Sequence, residues 1–338
     1  MIKTILFVVL FSSISFSKVY DLVDVFDKAI KNSNDYKISK LKEEYVNKEI
    51  DKSISAFLPK IDIEYTYKRV NEFPVIVEGV EIEKRKKRLD RTITLTQSLY
   101  DRSVYYEYKK QKNLLSQEVL NTHQAYQNLS YEVIKTYFET LYKKKQINLS
   151  KQKMLRLEKI VEKSSIKYKA GFISKADFLE SKAERAELIA REMQLKLDYL
   201  ISKSILERLT GLEEIEIKQN LNIPDIKNMQ KLKEGNDVQK NLEFNIQKQK
   251  IIGSKISKDS SLSSFTPNLS LEYEHLEDNV PGTSNQKSLS LILNVPIFNG
   301  FYDLHNYQQA KITQLIELEK MDLVKKRIEQ SIKNKYEK

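Results

Sequence analysis

Apolar positions between Ile147 and Leu200 fall into two runs that meet at a glycine. In the first, Ile147, Ser150, Met154, Leu157, Val161, Ser164 and Tyr168 recur at alternating spacings of 3 and 4. In the second, Leu179, Ala183, Ala186, Ala190, Met193, Leu197 and Leu200 do the same. A sustained period of about 3.5 residues keeps one stripe turned towards a partner helix, which is what a coiled-coil seam requires. The pattern predicts a helical hairpin folded at Gly171, with Val161 opposite Ala183, Leu157 opposite Ala186, Met154 opposite Ala190 and Ile147 opposite Leu197. Large side chains then meet small ones, so the arms can approach closely. The turn reads Lys169-Ala170-Gly171-Phe172-Ile173. Gly171 can adopt the left-handed conformation that ends a helix, and Ser174 with Asp177 forms a capping box that starts the next. Alone, such a hairpin fits a structural coiled coil.

Before the hairpin the period changes. Residues 21–56 read as helical, with Leu22, Val25, Phe26 and Ala29 on one face. From Ile61 to Lys68 apolar and polar residues alternate, and they alternate again from Thr92 to Thr96, which predicts two half-buried strands paired as a hairpin. The long loop between them holds Pro74, Gly79 and the basic run Lys84-Arg85-Lys86-Lys87-Arg88. Asp101 stands where an N-cap belongs, and no proline or glycine follows before Gly171, so a helix of roughly 100 Å is expected at 1.5 Å per residue. The return arm closes at Thr210-Gly211. Helices this long have to pack sideways on other long helices.

The chain then repeats itself in order. Phe57-Leu58-Pro59-Lys60-Ile61 returns as Phe265-Thr266-Pro267-Asn268-Leu269, and Leu99-Tyr100-Asp101 returns as Ile297-Phe298-Asn299. Leu269, Leu271 and Tyr273, then Leu289, Leu291, Leu293 and Val295, supply a second alternating pair of strands. Helix, strand, loop, strand, long helix thus occurs twice, a signal of internal duplication. Residues 210–235 form the connector.

Composition narrows the chemistry. The 338 residues carry a net charge of +11, three widely spaced histidines and no cysteine. Thiol catalysis, disulfides and thiolate metal sites are excluded, no histidine pair has ligand spacing, and no glycine-rich loop could cradle a phosphate. No catalytic residue, metal site or cofactor is expected. Residues 1–17 form a secretory signal: Lys3, the apolar run Ile5 to Phe11, and the small-x-small site Ser15-Phe16-Ser17. No cysteine follows it, so a lipoprotein anchor is excluded. Export argues against a nucleic-acid partner for the basic loop, which reads as a solvated loop or one meeting anionic lipid head groups.

Two strand-to-long-helix repeats, with a tip reading Tyr168, Gly171, Asp177, Leu179 and Ala183, resemble the TolC-type outer-membrane efflux proteins. The resemblance covers nearly the whole mature chain, 18–338, as one domain with repeats at 18–210 and 211–338. It implies a mainly α fold with a membrane β-barrel part. Long antiparallel coiled-coil helices would form a periplasmic tunnel, and four strands per protomer would contribute to a trimeric twelve-stranded barrel. It further implies an outer-membrane location and a passive exit duct, not an enzyme, in a tripartite efflux pump or type I secretion system. The partners would be two further copies, outer-membrane lipid, a periplasmic adaptor and an inner-membrane transporter. Ala170, Gly171, Phe172 and Ile173 would form the adaptor-binding tip, the part of the chain most distant from the membrane. Ile63, Tyr65, Leu271 and Leu291 would face lipid, with Asp62, Glu64 and Ser290 on the other side. One departure stands out: after Asn299 no second glycine tip and no returning helix follow, so the second repeat is expected to be incomplete or degenerate, with Ile312, Leu315 and Ile316 short of neighbours. The competing reading is a non-channel coiled-coil envelope protein, a spacer or adhesin, for which four alternating strands have no use.

Overall fold

The computed structural model describes residues 19–71, 75–77, 80–82, 85–218, 238–278 and 285–336. The signal segment 1–17, Pro74 and Gly79 of the first loop, Lys84, the side chains of the rest of the basic run, and Pro224 and Gly235 of the connector lie outside the described residues. In chain order the elements are β1 (Val19–Tyr20), α1 (Leu22–Asn32), α2 (Asn34–Ser55), β2 (Lys60–Asn71), β3 (Val75–Val77), β4 (Val80–Ile82) and β5 (Arg85–Tyr100). Then come α3 (Arg102–Lys169), α4 (Lys175–Thr210), β6 (Glu216–Ile217), α5 (Leu242–Ser261), β7 (Asn268–Asp278), β8 (Gln286–Asn294) and α6 (Tyr302–Tyr336). The chain divides into two compact units, one of residues up to Ile38 with His123–Asn228, the other of Ser39–Thr122 with Met229–Lys338.

The first unit holds the hairpin and its core. Val25 and Ala29 of α1, Leu129, Val133, Tyr137 and Leu141 of α3, and Leu206 and Leu209 of α4 bury together with Ile215 and Ile217. Each such large apolar side chain contributes about 1.5–3 kcal/mol on burial. Residues 215–217 were expected to be connector. Instead β6 pairs in parallel with β1, Tyr20 beside Ile217, and the Tyr137 hydroxyl donates to the Lys218 carbonyl at 3.3 Å. The helical segment expected over 21–56 is made of two helices, α1 and α2. Ser33 leaves the helical region at ψ 114°, and its hydroxyl accepts the Tyr36 amide to start α2. Asn32 turns aside to donate to the Arg208 and Leu209 carbonyls at 3.2 and 3.4 Å, closing the end of α4. Gly211 follows with φ 67°, and a Cβ there would lie 2.6 Å from Asn32 Oδ1.

The hairpin has the expected register and a different face. Glu158 of α3 meets Arg185 of α4 at 3.7 Å, which puts Leu157 level with Ala186 as the spacing predicts. On α3 the inward stripe is the expected one up to Ser164: Ile147, Ser150 and Leu157 are buried, Met154, Val161 and Ser164 half-buried, and Tyr168, its expected last member, is exposed. On α4 it is not. Ser181, Ser202, Leu206 and Leu209 are buried, and Phe178, Leu188, Leu195 and Tyr199 half-buried. Leu179, Ala183, Ala186, Ala190, Met193, Leu197 and Leu200 are all exposed. The physical reason is that α4 carries two apolar stripes, about 150° apart on a 3.5-residue repeat. The bulkier one, running through Phe178, Leu188, Leu195 and Leu206, fills the hairpin seam.

The second unit is built on a four-stranded antiparallel sheet in the order β2-β5-β7-β8. Both expected strand hairpins are present and run further than the alternation indicates, Lys60 pairing with Thr96 and Asn71 with Arg85 in the first. A register shift between Ser98 and Tyr100 marks where β5 leaves the sheet for α3, whose first amides are met by Asp101: its carboxylate accepts the Ser103 amide at 2.8 Å. Helices α5 and α6 pack on each other through a partly polar seam, Gln247 donating to the Glu317 carbonyl and carboxylate at 2.9 and 2.8 Å. Gly253 lets α5 approach α3, since a Cβ there would lie 2.6 Å from Asn113 Oδ1. On α6, Ile312, Leu315 and Ile316 are exposed, as expected, while Val324 and Ile328 are buried.

Candidate functional site

Two surfaces stand out, one in each unit. The first is the hairpin turn. Helix α3 ends in a Schellman motif: the Phe172 amide donates to the Lys167 carbonyl at 2.9 Å and the Gly171 amide to Tyr168 at 3.0 Å. Gly171 sits at φ 79°, a backbone region that L side chains adopt only with strain. Three residues on, the capping box is complete. Ser174 Oγ accepts the Asp177 amide at 3.1 Å, and the Asp177 carboxylate accepts the Ser174 amide at 3.0 Å and hydroxyl at 2.8 Å. Hydrogen bonds from the Ser174 hydroxyl and then its backbone hold the Asp177 carboxyl below the ordinary aspartate range.

Of the expected tip residues, Ala170 and Gly171 are exposed, Ile173 is half-buried, and Phe172 is 80% exposed. In a Schellman motif the residue at the position of Phe172 commonly packs back onto the preceding turn. Here the residue facing that position is Lys167, and the ring stays in solvent. Sequence reasoning missed the clamp that holds the turn. Tyr168 and Phe178 stack with centroids 5.4 Å apart, and Lys182 Nζ lies 4.7 Å from the Phe178 ring centre. An aromatic on each arm close to the glycine is the signal that would have pointed to it.

The second surface is one side of the sheet. Register places Ile61, Leu95, Tyr273 and Leu289 in one cross-strand row, and Leu271 beside Leu291 in the next. Ile63 and Tyr65 share that side, so all four expected lipid-facing residues lie together. Ile63, Tyr65 and Leu291 are 60–66% exposed and Leu271 is half-buried. The opposite side carries Asp62, Thr94, Glu274 and Ser288 in one row, with Glu64 and Ser290 in others. Alternation did not reveal that the apolar side carries charge towards the loop end. The row of Tyr65 continues as Arg91 and Glu277, which form an ion pair, and His275 Nε2 reaches the Glu277 carboxylate at 3.5 Å. Arg91 and Glu277 neutralise each other within the sheet.

Among the described residues no group of histidine, aspartate or glutamate side chains could hold a metal ion. No described helix is long and apolar enough to cross a membrane.

The family model for outer membrane efflux proteins matches residues 25–212. No curated protein matches the chain. Among solved structures the chain resembles CusC, a channel-forming protein, at TM-score 0.77 and 10% identity over 92% of this chain and 73% of that one. It resembles the Campylobacter jejuni outer membrane channel CmeC at TM-score 0.77 and 16% identity, over 89% of this chain and 66% of that one. It also resembles the Vibrio cholerae outer membrane protein VceC at TM-score 0.75 and 11% identity, over 90% and 75% of the two chains. These likenesses establish the fold, mainly helical with a TolC-like strand part, and the family match spans more than half of the sequence. The chain belongs to the outer membrane efflux protein family, whose members sit in the outer membrane, extend into the periplasm and conduct substrates without catalysing a reaction.

Proposed function

We propose that three copies of this chain form one exit duct that serves a tripartite efflux pump or a type I secretion system. The observation that carries the reading is the sheet: four strands with an exposed apolar side and two open edges, β2 and β8. In hydrocarbon an unpaired strand edge costs several kcal/mol for each unsatisfied group, so such a sheet has to close on further strands. The strands alternate in direction, so β8 of one copy can pair antiparallel with β2 of the next, and three copies supply twelve strands. Ile63, Tyr65, Leu271 and Leu291 then face lipid, and Asp62, Glu64 and Ser290 face the lumen. The second apolar stripe of α4, from Leu179 to Leu200, supports the same assembly, because it gives a neighbouring helix a seam to fill. The hairpin turn at Ala170, Gly171, Phe172 and Ile173 serves as the docking point for a periplasmic adaptor, which links the duct to an inner-membrane transporter. The structural-spacer reading gives the apolar sheet no role, and family membership disfavours it.

The chain has no cysteine, so introduced ones are unique. Cysteines scanned along β2 around Glu64 and along β8 around Ser290 should cross-link between copies in the outer membrane and give a ladder ending at three. A scan of both edges that yields no intermolecular bond would contradict the closed barrel.

A further inference from the structure

The tip bears charge as well as an aromatic ring. From Lys163 to Lys175 the sequence holds four lysines (163, 167, 169 and 175) and no carboxylate. All four are exposed, and among the described residues none of them is in an ion pair. Helix chemistry accounts for part of this. Lys167 and Lys169 occupy the last turn of α3, where the helix dipole favours a cation. Lys175 does not fit that account. It is the first residue of α4, where the same dipole disfavours a positive charge. Folding therefore explains neither Lys175 nor its neighbour Phe172, whose ring is 80% exposed. Asp177, two residues on, is engaged in the capping box and forms no ion pair with Lys175 among the described residues.

We infer that the tip recognises an acidic protein surface bearing an apolar socket. The socket takes the Phe172 ring, and carboxylates on its rim pair with Lys167, Lys169 and Lys175. The inference rests on the docking reading above and adds the chemistry of the partner. A single aromatic anchor in a desolvated pocket supplies much of the binding energy of a small interface. A ring of complementary charge speeds association and rejects partners of the wrong sign. A protein fits better than a lipid surface, because membrane-binding segments present an extended apolar face, whereas within the turn, residues 170–173, Ile173 is half-buried and Phe172 is the one large apolar side chain that projects.

The test uses full-length protein in intact envelopes, with the photo-crosslinking residue benzoylphenylalanine at position 172 and the adduct mapped by mass spectrometry. The expected adduct is a peptide of a periplasmic protein with acidic residues beside an apolar position. The variant K167E/K169E/K175E should reduce its yield at least about tenfold, since like charges then face each other. The same variant should keep or raise the hairpin's thermal stability, because K175E improves the dipole match. K167Q/K169Q/K175Q should fall between the two, and reversing the mapped carboxylates on the partner should restore yield to the K→E variant. Undiminished yield in the K→E variant, or an adduct on a basic segment, overturns the acidic partner and leaves docking intact. Adducts with lipid alone, or with nothing, overturn docking and this inference together.

Discussion

Tyr168 and Phe178 lie face to face across the hairpin turn, ring centroids 5.4 Å apart and planes 8° from parallel. The last turn of α3 and the first turn of α4 are thereby clamped without help from Phe172. Replacing Phe178 by Ala should destabilise the tip by about 0.5–1.5 kcal/mol beyond the lost contact area. Amide exchange over residues 166–181 would report it as faster exchange. Phe172→Ala should leave those rates unchanged, and an equal effect of both substitutions would show that Phe172 helps hold the turn.

The capping box makes the start of α4 sensitive to acid. Asp177 has its carboxyl held below the ordinary range by Ser174, so its folded value lies under the unfolded value of about 3.9. A depressed carboxylate stabilises the folded form fully above the unfolded value, and the contribution disappears as pH falls through the folded one. Local protection at residues 174–178 should therefore be constant from pH 7 to about 5 and decline below about 4. In Asp177→Asn this decline should be absent. Ser174→Ala removes the cap itself and should cost about 1 kcal/mol at neutral pH, read by the same exchange measurement.

The two stripes of α4 should respond differently to substitution. Leu206 is fully buried in the core, and Leu206→Ala should cost about 2–5 kcal/mol in the stability of the hairpin unit. Met193 is 61% exposed on the other stripe, so Met193→Glu should leave the protomer's unfolding curve in place. It should instead weaken association between copies, measurable as subunit exchange in detergent. Unchanged exchange would mean that the second stripe has no neighbour.

Adjacent residues of β8 offer a test of orientation. Leu291 lies on the apolar side of the sheet and Ser290 on the other. Near the bilayer midplane Leu291→Arg should cost about 2–4 kcal/mol, and Ser290→Arg much less. Yields of assembled protein in outer-membrane fractions would separate them, and equal losses would reverse or abolish the assigned sides.

Much of the architecture could be read from spacing. Heptad runs gave both arms of the hairpin, alternation gave four strands and the residues that share each side, and Gly171, Ser174 and Asp177 gave the turn, because each of these depends on local periodicity or on residues within a turn of one another. What spacing could not decide was which of two heptad stripes on α4 turns inward. Leu179–Leu200 and Phe178–Leu209 satisfy the same period, and the choice depends on volume against α3, a tertiary matter. The Glu158–Arg185 contact shows how close the reading came: level with its partner, one stripe away. Ile215 and Ile217 were missed because a two-residue strand has no period. The Arg91–Glu277 pair was missed because its members are far apart in sequence and meet only through the β5–β7 register.

On the proposed reading the four strands close only with those of other copies. Native mass spectrometry of the protein extracted from outer membranes in mild detergent tests it most directly. The expected result is a single dominant species of three protomers that persists on dilution and falls apart when β2 or β8 is disrupted by proline. A dominant species of one protomer, with the sheet intact, would contradict it.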